Sequence, residues 1–189
     1  YLVRIRRENP HALLALAYNR HAALEIRRRL TELIGDDARR VTVLTCHGLA
    51  MRLVGASFAQ RSEEVDFDAV LAEATALLEG RDLPPEDADI QRDRLLAGFR
   101  WILVDEYQDT DPAQVQLLQA LTSTDSTFVA VGDPDQSIYR WRGADVRILR
   151  SFKTDFPGAS IVKLEQNYRS TGSVVKAAAV APEMMVHEG

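Results

Sequence analysis

Residues 101–110 read WILVDEYQDT, and this stretch decides the fold. Its apolar part, Trp101–Val104, is too short for a helix and predicts a buried strand. Asp105 and Glu106 follow directly, at the point where the strand would leave its sheet. In an open α/β sheet that edge collects ligands. One carboxylate there can hold a Mg²⁺ ion while its neighbour orients or deprotonates a water, and the alternative for such a pair is a solvated surface.

Similar apolar runs recur along the chain and alternate with helical patterns. They predict strands at Leu13–Ala17, Val41–Leu44, Phe128–Val131 and Ile161–Leu164, and helices at about 146–152 and through Val174, Val175 and Ala178. The first long helix is expected to begin after Asn19 and to bury Ala23, Ile26, Leu30 and Leu33. Asp111 followed by Pro112 is typical of another helix start. The alternation predicts an α/β fold in which a parallel sheet carries helices on both faces, with a domain boundary at 156–158.

Composition restricts the class of protein. The 189 residues, 46% of them hydrophobic, suffice for one sizeable domain or for one domain and part of another. No apolar run approaches the roughly 18 residues of a membrane helix, and the N-terminus has neither a signal peptide nor an initiator Met, so the chain reads as an excerpt. The single Cys46 excludes an intramolecular disulfide framework and favours a reducing compartment. Four scattered histidines and one cysteine do not make a zinc site.

Charge is distributed unevenly along the chain. Residues 1–52 carry ten Arg against five acids, whereas residues 53–126 are strongly acidic and read as solvated helix faces. The net charge of −5 therefore does not exclude nucleic acid, because the local surface sets the contact.

Three polar stretches each begin at the end of a predicted strand and resemble motifs II, III and IV of the UvrD/Rep superfamily 1 DNA helicases. They are 105–110 (DEYQDT), 131–144 (VGDPDQSIYRWRGA) and 164–171 (LEQNYRST). Residues 17–23 (AYNRHAA) resemble motif Ia and residues 45–48 (TCHG) resemble motif Ib. The resemblance implies a truncated RecA-like fold of the P-loop NTPase helicase type. Residues 1–156 would form part of a first lobe with a reduced helical insertion at 55–98, and residues 157–189 would begin a second lobe.

The resemblance also implies an ATP site. Asp105 would hold Mg²⁺ on the ATP phosphates, with Glu106 beside the metal activating the attacking water. Gln136 would sense the γ-phosphate, and the alternative for it is a loop-stabilising amide. Tyr168 would stack on adenine and Arg169 would act as an arginine finger, the alternative for Arg169 being a surface salt bridge. Gln108 and Asp109 would organise the loop and couple the site to DNA.

A second set of residues suits single-stranded DNA, because bases stack on aromatic rings and Arg contacts phosphate. The resemblance places Tyr18, Asn19, Thr45, His47, Tyr139, Trp141 and Arg142 in this set. The alternative for Trp141 is a core position, and the alternative for His47 is a hydrogen-bonded structural histidine.

The chain contains no G-x-x-x-x-G-K-[ST] run, so the phosphate-binding loop is missing from it. The resemblance places that loop upstream of Tyr1, and motifs V and VI beyond Gly189. The function implied is part of the motor core of an ATP-dependent, 3′–5′ single-stranded-DNA translocase or helicase in the bacterial cytoplasm. Its partners would be duplex junctions and repair or recombination proteins, and the excerpt alone would be inactive. The alternative is a catalytically inactive helicase-like module that binds DNA or protein.

Overall fold

The computed structural model of the chain describes residues 1–55, 66–96, 98–122, 126–133, 136, 147–164, 166 and 171–173. Four parallel strands form one sheet: β1 (Leu13–Ala17), β2 (Thr42–Thr45), β3 (Trp101–Val104) and β4 (Thr127–Ala130). Their spatial order is β2-β1-β3-β4. The register aligns Thr42, Leu14, Ile102 and Phe128 in one row across the sheet. This confirms the predicted parallel α/β architecture.

Six helices accompany these strands in the described residues. They are α1 (Arg20–Ile34), α2 (Cys46–Leu53), α3 (Phe67–Glu79), α4 (Pro85–Leu96), α5 (Pro112–Leu121) and α6 (Arg147–Asp155), with 3₁₀ turns at Pro10–Ala12, Gly35–Arg40 and Tyr107–Asp109. The predicted start of α5 is confirmed, because Asp111 Oδ1 accepts a hydrogen bond from the Gln114 N–H at 2.8 Å. Within the described ranges, none of these helices is long and apolar enough to cross a membrane.

The interior strand β1 is buried on both faces, as expected within a parallel sheet, whereas the end strand β4 is partly exposed. Leu13, Ala15 and Ala17 of β1 pack in one cluster with Val43 and with α1, whereas Leu14 and Leu16, which point to the other face, are almost completely buried. A second group of helices forms where α3 packs against α2 and against α5.

The expected buried stripe of α1 is wrong at one position. Leu33 is 67% exposed, and Ile34 packs against the core cluster instead. Ile34 lies eleven residues after Ala23, close to three full turns, so it returns to the same side of the helix, whereas Leu33 is rotated away from it.

The turn after β3 is anchored by aromatic rings from β4 and α6. Tyr107 meets Phe152 edge to face at 5.1 Å between ring centroids, and Phe128 stacks on Phe156 at 4.6 Å. Such pairs contribute about 0.5–1.5 kcal/mol beyond their buried area. The cluster therefore holds α6 against the strand ends that carry the predicted site.

The chain divides into two units, Tyr1–Pro157 and Gly158–Gly189. In the second unit, the strand predicted at 161–164 is wrong: these residues have no regular secondary structure, and Val162 and Leu164 are 80% and 86% exposed. A strand needs a neighbouring ladder for its hydrogen bonds, and the described part of this unit offers none. The helix expected through Val174, Val175 and Ala178 lies outside the described residues.

Candidate functional site

The four parallel strands end at one edge of the sheet, and the polar residues that follow them meet there. In the spatial order of the strands, this carboxyl edge carries Thr45 and His47, then Tyr18 and Asn19, then Asp105 and Glu106, then Asp133 and Gln136. We call the first four residues the β2–β1 half and the last four the β3–β4 half. Among the described residues, those predicted for DNA thus lie on one half, and those predicted for the nucleotide and its metal lie on the other.

The backbone of the β3–β4 half is fixed by bonds that extend the sheet. The Asp105 N–H donates to the Leu16 carbonyl at 3.0 Å, the Tyr107 N–H donates to the Val131 carbonyl at 2.9 Å, and the Val131 N–H donates to the Val104 carbonyl at 2.8 Å. The chain turns sharply between these anchors. The position of both carboxylates therefore follows from the ends of β3 and β4.

Glu106 has a strained backbone conformation. Its φ of 51° and ψ of 47° place it in the left-handed region, which few non-glycine residues occupy. Such conformations cost about 1–3 kcal/mol and concentrate at functional sites. The surrounding bonds hold Glu106 in this conformation and leave its side chain half-buried beside the exposed Asp105.

Gln108 links Glu106 to the loop that follows β4. Its Nε2 donates to Glu106 Oε2 at 2.6 Å, and its Oε1 accepts from the Asp133 N–H at 2.9 Å. The side chain is only 2% exposed, so the amide is locked between these two partners. Because both ends of the amide are used, the Glu106 carboxylate and the β4 loop are held in fixed relation.

The third link is between Gln136 and Asp133. Gln136 Nε2 donates to Asp133 Oδ2 at 2.7 Å, and its backbone N–H donates to the Asp133 carbonyl at 3.2 Å. Both contacts lie within the loop after β4. They agree with the alternative in which the Gln136 amide stabilises this loop. Asp133 was not among the predicted site residues, and its presence inside the polar stretch 131–144 was the only sequence signal for it.

Two further groups lie buried beneath this turn. Burial, with the nearby Glu106 carboxylate, raises the pKa of Asp109, whose Oδ1 has no hydrogen-bond partner within the described part of the chain. Burial also raises the pKa of Tyr107, whose hydroxyl is likewise unpartnered among those residues. Asp109 is thus partly withdrawn from solvent and close enough to Glu106 for the two carboxylates to repel each other.

One solvent-accessible carboxylate is enough to bind a magnesium ion that is also coordinated by phosphate. Mg²⁺ in nucleotide sites is held by one or two carboxylates together with phosphate oxygens and waters. Asp105 is exposed, and its Oδ1 accepts only the Glu106 N–H at 3.1 Å in the contacts of this turn. No group of three or more His, Cys, Asp or Glu side chains in the described ranges forms a self-sufficient metal site.

Two polar side chains of the β2–β1 half, those of Asn19 and Thr45, act as helix caps. Asn19 Oδ1 accepts from the Ala22 N–H at 2.8 Å and begins α1, and Thr45 Oγ1 accepts from the Gly48 N–H at 3.0 Å and begins α2. Each cap uses only the side-chain oxygen as an acceptor. The amide hydrogens of Asn19 and the hydroxyl hydrogen of Thr45 therefore keep their capacity to donate to a phosphate.

His47 packs against a neighbouring helix. Its ring meets Phe67 edge to face at 5.2 Å between centroids. Burial lowers the pKa of His47, although the carboxylates of Asp111 and Asp68 oppose this shift. The preceding Cys46 is buried, which raises the pKa of its thiol to about 12. At neutral pH this pair is thus uncharged, and His47 can offer DNA a hydrogen bond but not a cation.

Five of the predicted site residues lie outside the described residues. They are Tyr139, Trp141, Arg142, Tyr168 and Arg169.

Comparison with known proteins decides the family. Residues 56–157, more than half of the chain, match the family model described as the UvrD/REP helicase N-terminal domain. The chain belongs to the UvrD/REP helicase family. The matched segment includes both 105–110 and 131–144, the stretches that carry the β3–β4 half. The resemblance stated from these motifs is therefore confirmed.

Individual relatives of the UvrD/REP family agree. The chain is 44% identical over 119 residues to the ATP-dependent DNA helicase Rep of Buchnera aphidicola subsp. Schizaphis graminum. The aligned region covers 63% of the chain and 17% of that protein. It is 42% identical over 118 residues to the ATP-dependent DNA helicase PcrA of Bacillus subtilis, covering 62% of the chain and 15% of that protein. The matched part thus spans about a sixth of the length of these relatives.

Proposed function

We propose that this chain forms part of the motor core of an ATP-dependent DNA helicase that moves 3′ to 5′ along single-stranded DNA. The observation that carries the proposal is the hydrogen-bonded series Glu106–Gln108–Asp133–Gln136 at the carboxyl edge. It occurs in the fold and family in which two similar proteins are named ATP-dependent DNA helicases. The strained backbone of Glu106 and the burial of the Gln108 amide both cost folding free energy. This cost is explained if the Glu106 carboxylate must be held in one place for function.

The β3–β4 half would perform the chemistry. Asp105 would hold a Mg²⁺ ion, which when bound neutralises charge on the ATP phosphates. Glu106 would orient the attacking water and accept its proton, with Gln108 holding one carboxylate oxygen and thereby aiming the other. Gln136 would leave Asp133 to contact the γ-phosphate. Tyr168 and Arg169 would complete the site from a second lobe beginning near residue 157.

Coupling to DNA would pass through Gln108. The loop that it fixes at Asp133 leads along the chain to Tyr139, Trp141 and Arg142, the predicted stacking cluster. A change in nucleotide state that moves Glu106 would therefore act on the same loop that carries the DNA contacts. The β2–β1 half would hold the DNA backbone through Asn19, Thr45 and His47, with Tyr18 stacking on a base.

The phosphate-binding loop would be supplied by sequence other than this chain, which contains no such run. Loss of one transition-state contact costs roughly 10²–10⁴-fold in rate, so the chain alone would hydrolyse ATP very slowly. In the cell, the whole protein would act on single strands and duplex junctions in the bacterial cytoplasm, with repair or recombination proteins as partners.

A catalytically inactive module that binds DNA or protein is the second candidate. It would need only the β2–β1 half, in which Asn19 and Thr45 keep hydrogens that can donate to a phosphate. Fluorescence anisotropy with labelled single-stranded DNA and Trp141→Ala tests the DNA contact common to both candidates. A several-fold loss of affinity supports stacking by Trp141, and an unchanged affinity rejects it.

ATP hydrolysis separates the two candidates. The protein that carries this chain would be assayed with and without single-stranded DNA, and on duplexes with either a 3′ or a 5′ single-stranded tail. We expect DNA to stimulate hydrolysis and only the 3′-tailed duplex to be unwound. Absence of DNA-stimulated hydrolysis would reject the enzyme, and unwinding from the 5′ tail would reject the direction.

A further inference from the structure

A groove lies beside β2, the end strand of the described sheet. It has a volume of about 460 Å³ and is lined by residues 41–44 together with residues of α1, the 3₁₀ turn Gly35–Arg40 and α2. Three arginines, Arg27, Arg39 and Arg52, line it, and no acidic residue does. We call it the arginine groove. Its position on the sheet separates it from the β3–β4 half at the opposite end.

The arginines of this groove differ from Arg28 and Arg29 of α1 in their ion pairing. On α1, Arg28 pairs with Glu25 at 2.8 Å and with Glu32 at 2.6 Å, and Arg29 pairs with Glu25 at 2.8 Å. These pairings lower the pKa of Glu25 to about 2, with Arg28 as the larger cause. The helix thus neutralises Arg28 and Arg29 with its own carboxylates.

Arg27 and Arg52 have no such compensation. Across the described residues, neither has a carboxylate within 4.0 Å. Arg39 reaches only Asp36, at 3.9 Å between two exposed side chains, a pairing that contributes little. Among the described residues, the groove therefore gathers positive charge that only Asp36 opposes, which favours a bound anion.

Arg27 is also held in position. Its Nη2 donates to the Val43 carbonyl at 2.5 Å, which holds the guanidinium of this exposed side chain against the end strand. A guanidinium carries five N–H donors in a planar fork suited to phosphate, and this bond uses one of them. The remaining donors are pre-positioned, so less conformational entropy is lost when an anion binds.

The groove is close to the predicted DNA contacts. Val43 lies two residues before Thr45 on β2, a separation of about 7 Å along a strand. Each strand of a DNA duplex carries one phosphate about every 3.4 Å of helical rise, and an extended single strand spaces its phosphates on the same scale as this separation. A strand whose backbone contacts Thr45 would therefore present its next phosphates at the groove.

We propose that the arginine groove binds phosphodiester groups of the single DNA strand that crosses the β2–β1 half. This inference rests on the proposed function and extends the DNA path beyond the motif residues, along the outer side of β2. Arg27 and Arg52 would contact phosphate directly and without base specificity.

Salt dependence of binding tests the groove. Arg27→Gln/Arg52→Gln would be compared with Arg28→Gln/Arg29→Gln, a control that removes the same charge from solvent-facing positions. Binding of labelled oligothymidine would be measured by anisotropy over a range of KCl concentrations. Each lost phosphate contact lowers the slope of log K against log[salt] by about 0.7, so we expect a decrease of about 1.4 for the groove variant and none for the control.

Arg52→Gln alone is a variant that we expect to fold normally, because Arg52 is exposed and makes no ion pair in the described residues. For it we expect a decrease of about 0.7 in slope with an unchanged circular dichroism spectrum. Wild-type binding with an unchanged slope in the groove variants would overturn the groove alone. An equal decrease in the control would also overturn it. Absence of DNA binding by the wild-type protein would overturn the proposed function and the groove with it.

Discussion

The two halves of the carboxyl edge use their polar side chains differently. In the β2–β1 half, Asn19 and Thr45 each bond to the backbone three residues ahead and begin a helix. In the β3–β4 half, Gln108 connects Glu106 to Asp133, residues that belong to different strand ends. The first pattern is local and stabilises α1 and α2, whereas the second joins two elements.

The difference separates residues that are explained by folding from residues that are not. Caps such as Asn19 are needed by any helix, and their contact with DNA would be a second use of the same side chain. The left-handed Glu106 stabilises no helix or strand, and its cost requires another reason. Variants in one half should therefore leave the direct ligand contacts of the other half unchanged, and the following predictions test this from the largest expected effect to the smallest.

Glu106→Gln should give the largest effect. In the protein that carries this chain, we expect DNA-stimulated ATP hydrolysis to fall about 10²–10⁴-fold, because a general base is lost. Glutamine still accepts the hydrogen bond from Gln108, so the loop should keep its position, and ATP and DNA affinities should be retained. Glu79→Gln, on α3, is the matched control and should hydrolyse ATP normally. Turnover retained by the Glu106 variant would reject Glu106 as the base.

Gln108→Leu should lower kcat about 10²-fold with little change in KM, because Glu106 loses the group that positions it. Steady-state kinetics measure this split. Gln108→Glu distinguishes positioning from simple structural support, since it still accepts from the Asp133 N–H but sets a second carboxylate against Glu106. We expect the acid limb of its pH–rate profile to move to higher pH. An unmoved limb with a low Tm would assign Gln108 to stability alone.

Asn19 separates capping from DNA binding in the other half. Asn19→Ala should lower the free energy of unfolding by about 1 kcal/mol, because α1 loses its cap. Asn19→Asp keeps the acceptor and should keep that stability, measured by urea unfolding. It lacks the amide hydrogens and adds a negative charge, so we expect weaker single-strand binding with normal basal ATP hydrolysis. DNA affinity equal to wild type would leave Asn19 with the cap as its role.

The smallest effect concerns His47. Its pKa is lowered in the folded protein, so below the ordinary value of about 6.5 the unfolded chain binds more protons than the folded one. The free energy of unfolding should therefore decrease as pH falls from about 6.5 toward the folded pKa. His47→Gln should remove this part of the pH dependence, as measured by urea unfolding on both sides of that value. An identical pH dependence in the variant would show that His47 is not buried as described.

Local patterns in the sequence predicted much of the fold. The strands Leu13–Ala17 and Trp101–Val104 have the predicted bounds, because both are apolar runs in the interior of the sheet, where at least alternate residues are buried. The other two strands differ by one residue: β2 is Thr42–Thr45 and β4 is Thr127–Ala130. There the boundary threonines suit a strand end as well as a turn. Ile161–Leu164 has the same apolar pattern but lacks a neighbouring ladder, which no local pattern reveals.

Less of the candidate site than of the fold could be predicted from the sequence. Asp105 and Glu106 were indicated by their place after β3, since parallel strands bring such residues to one edge. The link through Gln108 was not, because its partner Asp133 lies 25 residues away and the pairing depends on how β3 and β4 sit side by side. The left-handed backbone of Glu106 also has no sequence signal, since glycine would be the usual residue there.

Hydrogen–deuterium exchange tests the division of the edge most directly. The protein that carries this chain would be measured with a non-hydrolysable ATP analogue and Mg²⁺, and separately with single-stranded DNA. We predict that the nucleotide protects backbone amides at 104–110 and 131–136, and that DNA alone protects 17–22 and 45–49. Protection of the same segments by both ligands, or the reverse assignment, would contradict the separation of a nucleotide half from a DNA half.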